Sequence, residues 1–178
     1  ILAGYPKAKK YTDFREMIDK EKEIDAVLIG TPDHTHAVIA AYAMKAGKHV
    51  FVEKPMAKTI YETRFLRDLA KQTGVVTQMG NQGHNIEGTM QTVEWIQGGV
   101  IGDVREVHLW TNRPMWRQGY FDRPAGVDIP SNLNYDVWLG PAPDKPYNPE
   151  MLHFAWRGLW DYGTGACLLY TSPSPRDR

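Results

Sequence analysis

The sequence predicts an α/β protein built on a parallel sheet. Three observations carry this: short runs of apolar, β-forming residues, a Gly, Thr-Pro or Glu-Lys-Pro stop after each run, and helical apolar spacing in the stretches between. Strand, helix, strand, helix, strand with short connections is the order of a parallel sheet with right-handed crossovers.

The elements follow in chain order. Residues 13–20 read as a short helix, with Thr12 or Asp13 as N-cap, since a short polar side chain can accept from the free N–H groups of a first turn. Ala26 to Gly30 is an apolar run that fits a strand buried on both faces, broken by Thr31-Pro32-Asp33. From His34 to Ala46, Ala37, Val38, Ala41 and Met44 recur at helical spacing, and Gly47 supplies the stop. His49 to Val52 is a second buried strand, ending at Glu53-Lys54-Pro55. Thr59 to Gln72 is expected to be helical with Phe65, Leu66, Leu69 and Ala70 inward, closed by Gly74; Val75 to Met79 is the third strand.

The character changes after Gly80. Ile86, Met90, Val93 and Ile96 mark an amphipathic helix ended by Gly98-Gly99. Val104 to Asn112 reads as a longer strand, with Val107 and Leu109 on one face and Glu106, His108 and Trp110 on the other. The face carrying Trp110 and His108 is expected to stand exposed in this chain as an apolar patch. Residues 113–150 hold seven of the twelve prolines, yet Trp116, Tyr120, Phe121, Tyr135 and Trp138 are interleaved with them. Disordered segments are poor in aromatics, so this is read as an ordered excursion. The organisation is thus residues 1–80 as one unit, 81–166 as the beginning of a second, and 167–178 as a Pro/Ser-rich tail foreign to the pattern.

Lys+Arg and Asp+Glu balance at 21 each, which gives no basis for nucleic acid or an anionic membrane as main partner. No apolar stretch approaches the roughly 20 residues that cross a bilayer. The single cysteine, Cys167, excludes an internal disulfide framework and a multi-cysteine metal site. No metal is expected.

Lys54 is the residue best placed for chemistry. It stands where a parallel strand ends, and open α/β sheets bind ligands in the crevice beyond those ends. Partial desolvation there would lower the pKa of its amine and suit it to acid/base work on a hydroxyl; a solvated loop lysine is the alternative. Thr31-Pro32 would face the same crevice or merely terminate a strand. His34 and His36, two apart at a helix start, point to different sides, which makes a metal site improbable. His36 reads as a polar residue near a cofactor edge or as a surface histidine. Gly80-Asn81-Gln82-Gly83-His84 suits close backbone approach to a ligand, and equally a domain-crossing loop. Trp156-Arg157 and Trp160 to Gly165 set aromatic faces beside charge, as a sugar or polyol ring would require. A tryptophan-rich core with capping charges would look the same.

Together, Thr31-Pro32-Asp33-His34-Thr35-His36 and the run from Ala46-Gly47-Lys48-His49 to Glu53-Lys54-Pro55 closely resemble the core motifs of the Gfo/Idh/MocA oxidoreductases. Gln78 to His84, Trp110 to Pro114 and Trp138 to Pro143 resemble a subgroup of that family often predicted to be exported. The resemblance runs from about the start to Ala166. It implies a truncated Rossmann domain followed by the start of an α/β domain with an open, mainly antiparallel sheet. It implies NAD or NADP as cofactor, a sugar, inositol or related polyol as substrate, and a homo-oligomeric parent. It implies Lys54 as the catalytic lysine, in a cis Lys54–Pro55 unit, with Thr31, Pro32, His36, Glu53, Pro55 and Asn81 on the cofactor side. Gln82, His84, Trp116, Arg157 and Asp161 would then lie on the substrate side. A Gly-rich phosphate loop would precede Ile1, and an Asp-x-x-x-His segment would follow Ala166 where the tail stands. The chain is therefore expected to be an inactive piece of a longer enzyme, cytoplasmic, or exported if a signal preceded Ile1. The alternatives are a related NAD-dependent glycoside hydrolase or a non-catalytic sugar-binding protein.

Overall fold

The computed structural model describes residues 4–108, 110, 116 and 123–165, the His84 side chain excepted. Three strands, β1 (Ala26–Ile29), β2 (His49–Glu53) and β3 (Thr77–Gly80), form a parallel sheet in the order β1-β2-β3. Helix α1 (Phe14–Lys20) precedes it, and α2 (Asp33–Lys45) and α3 (Ile60–Thr73) make the two crossovers. The expected α/β order therefore holds, and the Lys54–Pro55 bond is cis as expected.

Local chemistry sets the helix limits. Asp13 caps α1 by accepting from the Arg15 N–H at 2.8 Å. Thr59 and Glu62 form a reciprocal capping box at the start of α3, and Gly74 closes that helix at φ 69°, a conformation a side chain disfavours. Thr59→Ala removes one half of the box and is expected to lower stability by about 1 kcal/mol, read as a shift in urea midpoint with unchanged slope.

The sheet buries one face. Val27, Ile29, Val50 and Val52 pack with Ala37, Ala40, Ala43 and Met44 of α2 and Leu66 and Leu69 of α3. The other face stays open: Leu28 is 71% exposed, and Phe51 and Val76 are also exposed. The expectation of strands buried on both faces is thus corrected. An apolar run tells how apolar a strand is, and whether a second layer covers it depends on other elements. Val38, expected inward, is exposed, while Ile39, His34 and His36 are buried: α2 turns the face starting at Asp33 toward the sheet and the second lobe. Phe65 of α3 is likewise exposed.

Beyond β3, a 3₁₀ turn (Gln82–Asn85) leads into α4 (Glu87–Gln97), where the amphipathic helix was expected. Ile86, at its N-cap, and Met90, Val93 and Ile96 within it are all exposed. The strand expected over 104–112 does not form at residues 104–108 or 110; Leu109, Thr111 and Asn112 lie outside the described residues. A strand needs neighbours to pair with, and none lies beside this segment among the described residues. Nor does the open antiparallel sheet occur among them. Trp110 is 88% exposed, as expected.

The proline-rich excursion is ordered where it is described. Helix α5 (Tyr135–Leu139) and a 3₁₀ turn (Ala155–Gly158) frame a second core of Tyr135, Leu139, Tyr147, Met151, Leu152, Trp156, Leu159 and Tyr162. This lobe docks on the start of α2. His34 is sandwiched among Trp138, Trp156 and Tyr162, with ring centroids 5.0, 6.4 and 5.4 Å away. Tyr120, Phe121 and the 167–178 tail fall outside the described residues.

Candidate active site

At the carboxyl ends of the strands lies a cleft of about 460 Å³ lined by Gly30, Thr31, Asp33, His36, Glu53, Lys54, Gln82, Trp116, Phe154 and Arg157. This is where an open parallel sheet exposes its loops to a ligand. Residues far apart in sequence thus meet because parallel strands end side by side: Val52 pairs with Met79 and Ile29 with Val52.

His36 holds two of those ends together. Buried at 1% exposure, its Nδ1 lies 2.7 Å from the Pro55 carbonyl and its Nε2 2.7 Å from the Thr31 carbonyl. The ring spans the loops after β1 and β2, so its first effect is to fix where Thr31 and Lys54 stand. Of its two readings, the surface histidine is excluded. The Thr35 hydroxyl reinforces the same turn, 2.8 Å from the Pro32 carbonyl and 2.7 Å from the Thr31 hydroxyl.

Glu53 accepts from the Gln82 side-chain amide at 2.6 Å, tying β2 to the turn after β3. Gly80 makes room for this: a Cβ there would stand 2.9 Å from Glu53 Oε1 and from a Phe51 ring carbon. Asp33, in the first turn of α2, is 2% exposed and accepts from the Thr164 hydroxyl at 3.2 Å. Asp33 and Phe154 were not singled out in sequence. A carboxylate in a first helical turn looks like ordinary capping chemistry, and Phe154 reaches the cleft only through the second lobe.

The other expected site residues divide. Thr31, His36, Glu53, Lys54, Gln82, Trp116 and Arg157 share the cleft. Pro32 and Pro55 are not among the lining residues; the Pro32 carbonyl accepts from the Thr35 hydroxyl and the Pro55 carbonyl lies 2.7 Å from His36 Nδ1. Asn81 lines a neighbouring cleft of about 540 Å³ with Phe51, Gln78 and Gln82, on the open face of the sheet. Asp161 is not among the lining residues; its carboxylate pairs with Arg123 and its carbonyl accepts from Lys58 at 2.8 Å. The His84 side chain is outside the described part. Of the tryptophans, Trp156 belongs to the core, as the alternative reading had it, whereas Trp160 is 79% exposed.

His34, next to the cleft but turned to the second lobe, lies 2.8 Å from the Trp138 carbonyl and 3.2 Å from that of Tyr162. Burial holds its pKa below the usual histidine value; both carbonyls oppose that shift, and Lys58 adds to it. With its folded pKa depressed, the native state binds fewer protons than the unfolded one as pH falls below about 6.5, so stability drops with acid. Thermal midpoints recorded from pH 8 to 5 are expected to fall through this window, and His34→Asn to flatten the fall.

Residues 2–81 match the model of an oxidoreductase family with an NAD-binding Rossmann fold, and residues 109–168 match that family's C-terminal alpha/beta domain. The chain belongs to the Gfo/Idh/MocA oxidoreductase family. Among its relatives in this family, levoglucosan dehydrogenase of Pseudarthrobacter phenanthrenivorans is 34% identical over 52% of this chain and 24% of its own length. A glycosyl hydrolase family 109 protein of a Shewanella species is 33% identical over 71% of this chain and 28% of its own. A crystal structure of a putative oxidoreductase from Bacteroides fragilis superposes with TM-score 0.52 at 30% identity, over 57% of this chain and 30% of that one. The chain spans about a quarter to a third of the curated relatives it matches, with 24% and 36% as representative shares.

Proposed function

We propose that this chain supplies the proton-transfer lysine and part of the nicotinamide and substrate walls of an NAD(P)-dependent dehydrogenase. Its substrate would be a sugar, inositol or related polyol with a secondary hydroxyl. The observation that carries this is the convergence of Thr31, Glu53, Lys54 and Gln82 with Trp116 and Arg157 on one cleft at the strand ends. The fit to a nicotinamide rests on the same place: Gly30 has no side chain, and the Thr31 hydroxyl and the loop backbone fixed by His36 offer an amide-bearing ring polar partners at close range. When bound there, the nicotinamide would accept the hydride. Lys54 would take the hydroxyl proton as the C–H bond breaks. Glu53, held by Gln82, would keep the loops after β2 and β3 in register, and Trp116 with Phe154 would offer apolar faces to the ring C–H groups.

Pyrophosphate affinity depends on a Gly-rich loop at a helix N-terminus, and no G-x-G-x-x-G run occurs in these 178 residues. The chain alone is therefore proposed to bind nicotinamide nucleotides weakly and to be inactive, with activity belonging to the longer parent. The test uses that parent with a polyol deuterated at the reacting carbon. Deuterium recovered at nicotinamide C4 of the reduced cofactor is the expected result. Its absence from every polyol tried would reject the proposal. The family 109 relative keeps a second reading alive, hydrolysis of a glycoside. Release of free sugar without net cofactor reduction would favour it.

A further inference from the structure

We infer that the cleft recognises a carboxylate on its substrate, and that Arg157 is the residue that reads it. This deepens the dehydrogenase reading and rests on it for the reaction, while the recognition itself can be measured without turnover. The class of ligand is an acidic sugar or acidic cyclic polyol.

Two donors carry the inference. Among the described residues, Trp116 Nε1 and Arg157 Nε are the buried side-chain polar atoms with no hydrogen-bond partner, and both residues line the same cleft. Buried N–H groups without an acceptor are rare in folded proteins, and a ligand is a standard reason for them. Both are donors only, and neither can accept, so the missing partner must bring acceptors. A neutral hydroxyl brings acceptor lone pairs on a single oxygen. A carboxylate brings two coplanar oxygens that match the guanidinium fork, with charge-assisted bonds.

Arg157 is also held as a recognition group rather than a mobile surface cation. Its guanidinium carbon sits 4.3 Å from the centroid of the Trp156 ring, and Trp156 is a core residue. Its backbone is packed against Gly163 so tightly that a Cβ there would fall 2.5 Å from the Arg157 Cα and carbonyl oxygen. No ion pair to Arg157 occurs among the described residues; the carboxylates that share its cleft are engaged elsewhere, Glu53 by Gln82 and Asp33 by Thr164. Trp116 packs edge-on to Phe154 at 5.7 Å. Lys54, on the proposed function, serves the reacting hydroxyl, so one group in the cleft would identify the substrate and another transform it.

The experiment titrates the 178-residue chain with D-glucuronate and, separately, D-glucose, following tryptophan fluorescence at low and at 0.5 M salt. Glucuronate is expected to bind at least tenfold more tightly, with the advantage shrinking in salt. Arg157→Gln should erase the preference, Arg157→Lys should restore part of it, and Trp116→Phe should weaken glucuronate several-fold more than it weakens glucose. Lys54→Ala should keep the preference, which separates this claim from the catalytic one. Equal binding of the two sugars, no binding of either, or an undiminished preference in a folded Arg157→Gln chain would each overturn the inference. If Arg157→Gln does not fold, Arg157→Lys and Trp116→Phe decide by the same comparison. Should the variants instead alter the affinity for nicotinamide mononucleotide and leave glucuronate untouched, the two donors serve the cofactor and the inference falls.

Discussion

In the longer parent enzyme, Lys54→Ala is expected to lower kcat by about 10²–10⁴-fold while changing nicotinamide affinity little. The expectation follows from where the residue stands. Lys54 lines the cleft with Thr31 and Gln82, and His36 fixes the loop that carries it by reaching the carbonyl of Pro55. A group that contributes only at the moment of proton transfer shows its loss in kcat, whereas a group that merely binds shows it in KM. Lys54→Arg should rescue little, because a guanidinium stays protonated at any working pH and cannot take up the proton. Near-normal turnover by Lys54→Ala on a polyol the parent oxidises would remove Lys54 from the mechanism.

Tyr162→Ala should be the costliest single change in the second lobe, about 3–5 kcal/mol by analogy with other aromatic truncations in cores. Tyr162 is fully buried, its ring lies 4.8 Å from Trp138 and 5.4 Å from His34, and Arg123 stands over its face. Truncation would open a void shared by the lobe and the start of α2, where neighbouring rings cannot all collapse inward. Tyr162→Phe keeps the ring and loses the hydroxyl's bonds with Arg123, at 3.3 Å, and with Tyr135, so about 1 kcal/mol is expected. Urea unfolding followed by tryptophan fluorescence checks both. If Tyr162→Ala cost no more than Tyr162→Phe, the lobe would be repacking freely and its docking on His34 would not be the constraint described here.

The order of strands and helices was legible because it is written in local signals: apolar runs, Asp13 and Thr59 at helix starts, Gly47 and Gly74 at helix ends. Layering was not. Leu28 and Phe51 look as apolar in sequence as Val27 and Val50, and only the placement of α2 and α3 decides which pair is covered. The strand expected at 104–112 shows the same limit, since alternation describes a face without supplying its partner. At the site, residues at strand ends were legible because topology brings strand ends together. The role of His36 as a brace was harder to see, because it depends on two backbone carbonyls that carry no side-chain signature. Arg157 was visible as charge beside an aromatic; its unanswered N–H emerged only from packing.

The open face of the sheet has a practical consequence. Leu28, Phe51 and Val76 lie bare on it, the apolar side of α4 is bare as well, and β1 and β3 each present an outer edge with no strand beside it among the described residues. Sticky planar surfaces next to unpaired backbone are what colloidal self-association feeds on. The isolated chain is therefore expected to scatter light increasingly as its concentration rises from micromolar to millimolar. Charged substitutions at Leu28 and Phe51 should suppress that scattering without shifting the urea midpoint by more than about 0.5 kcal/mol equivalent, because neither side chain reaches the core.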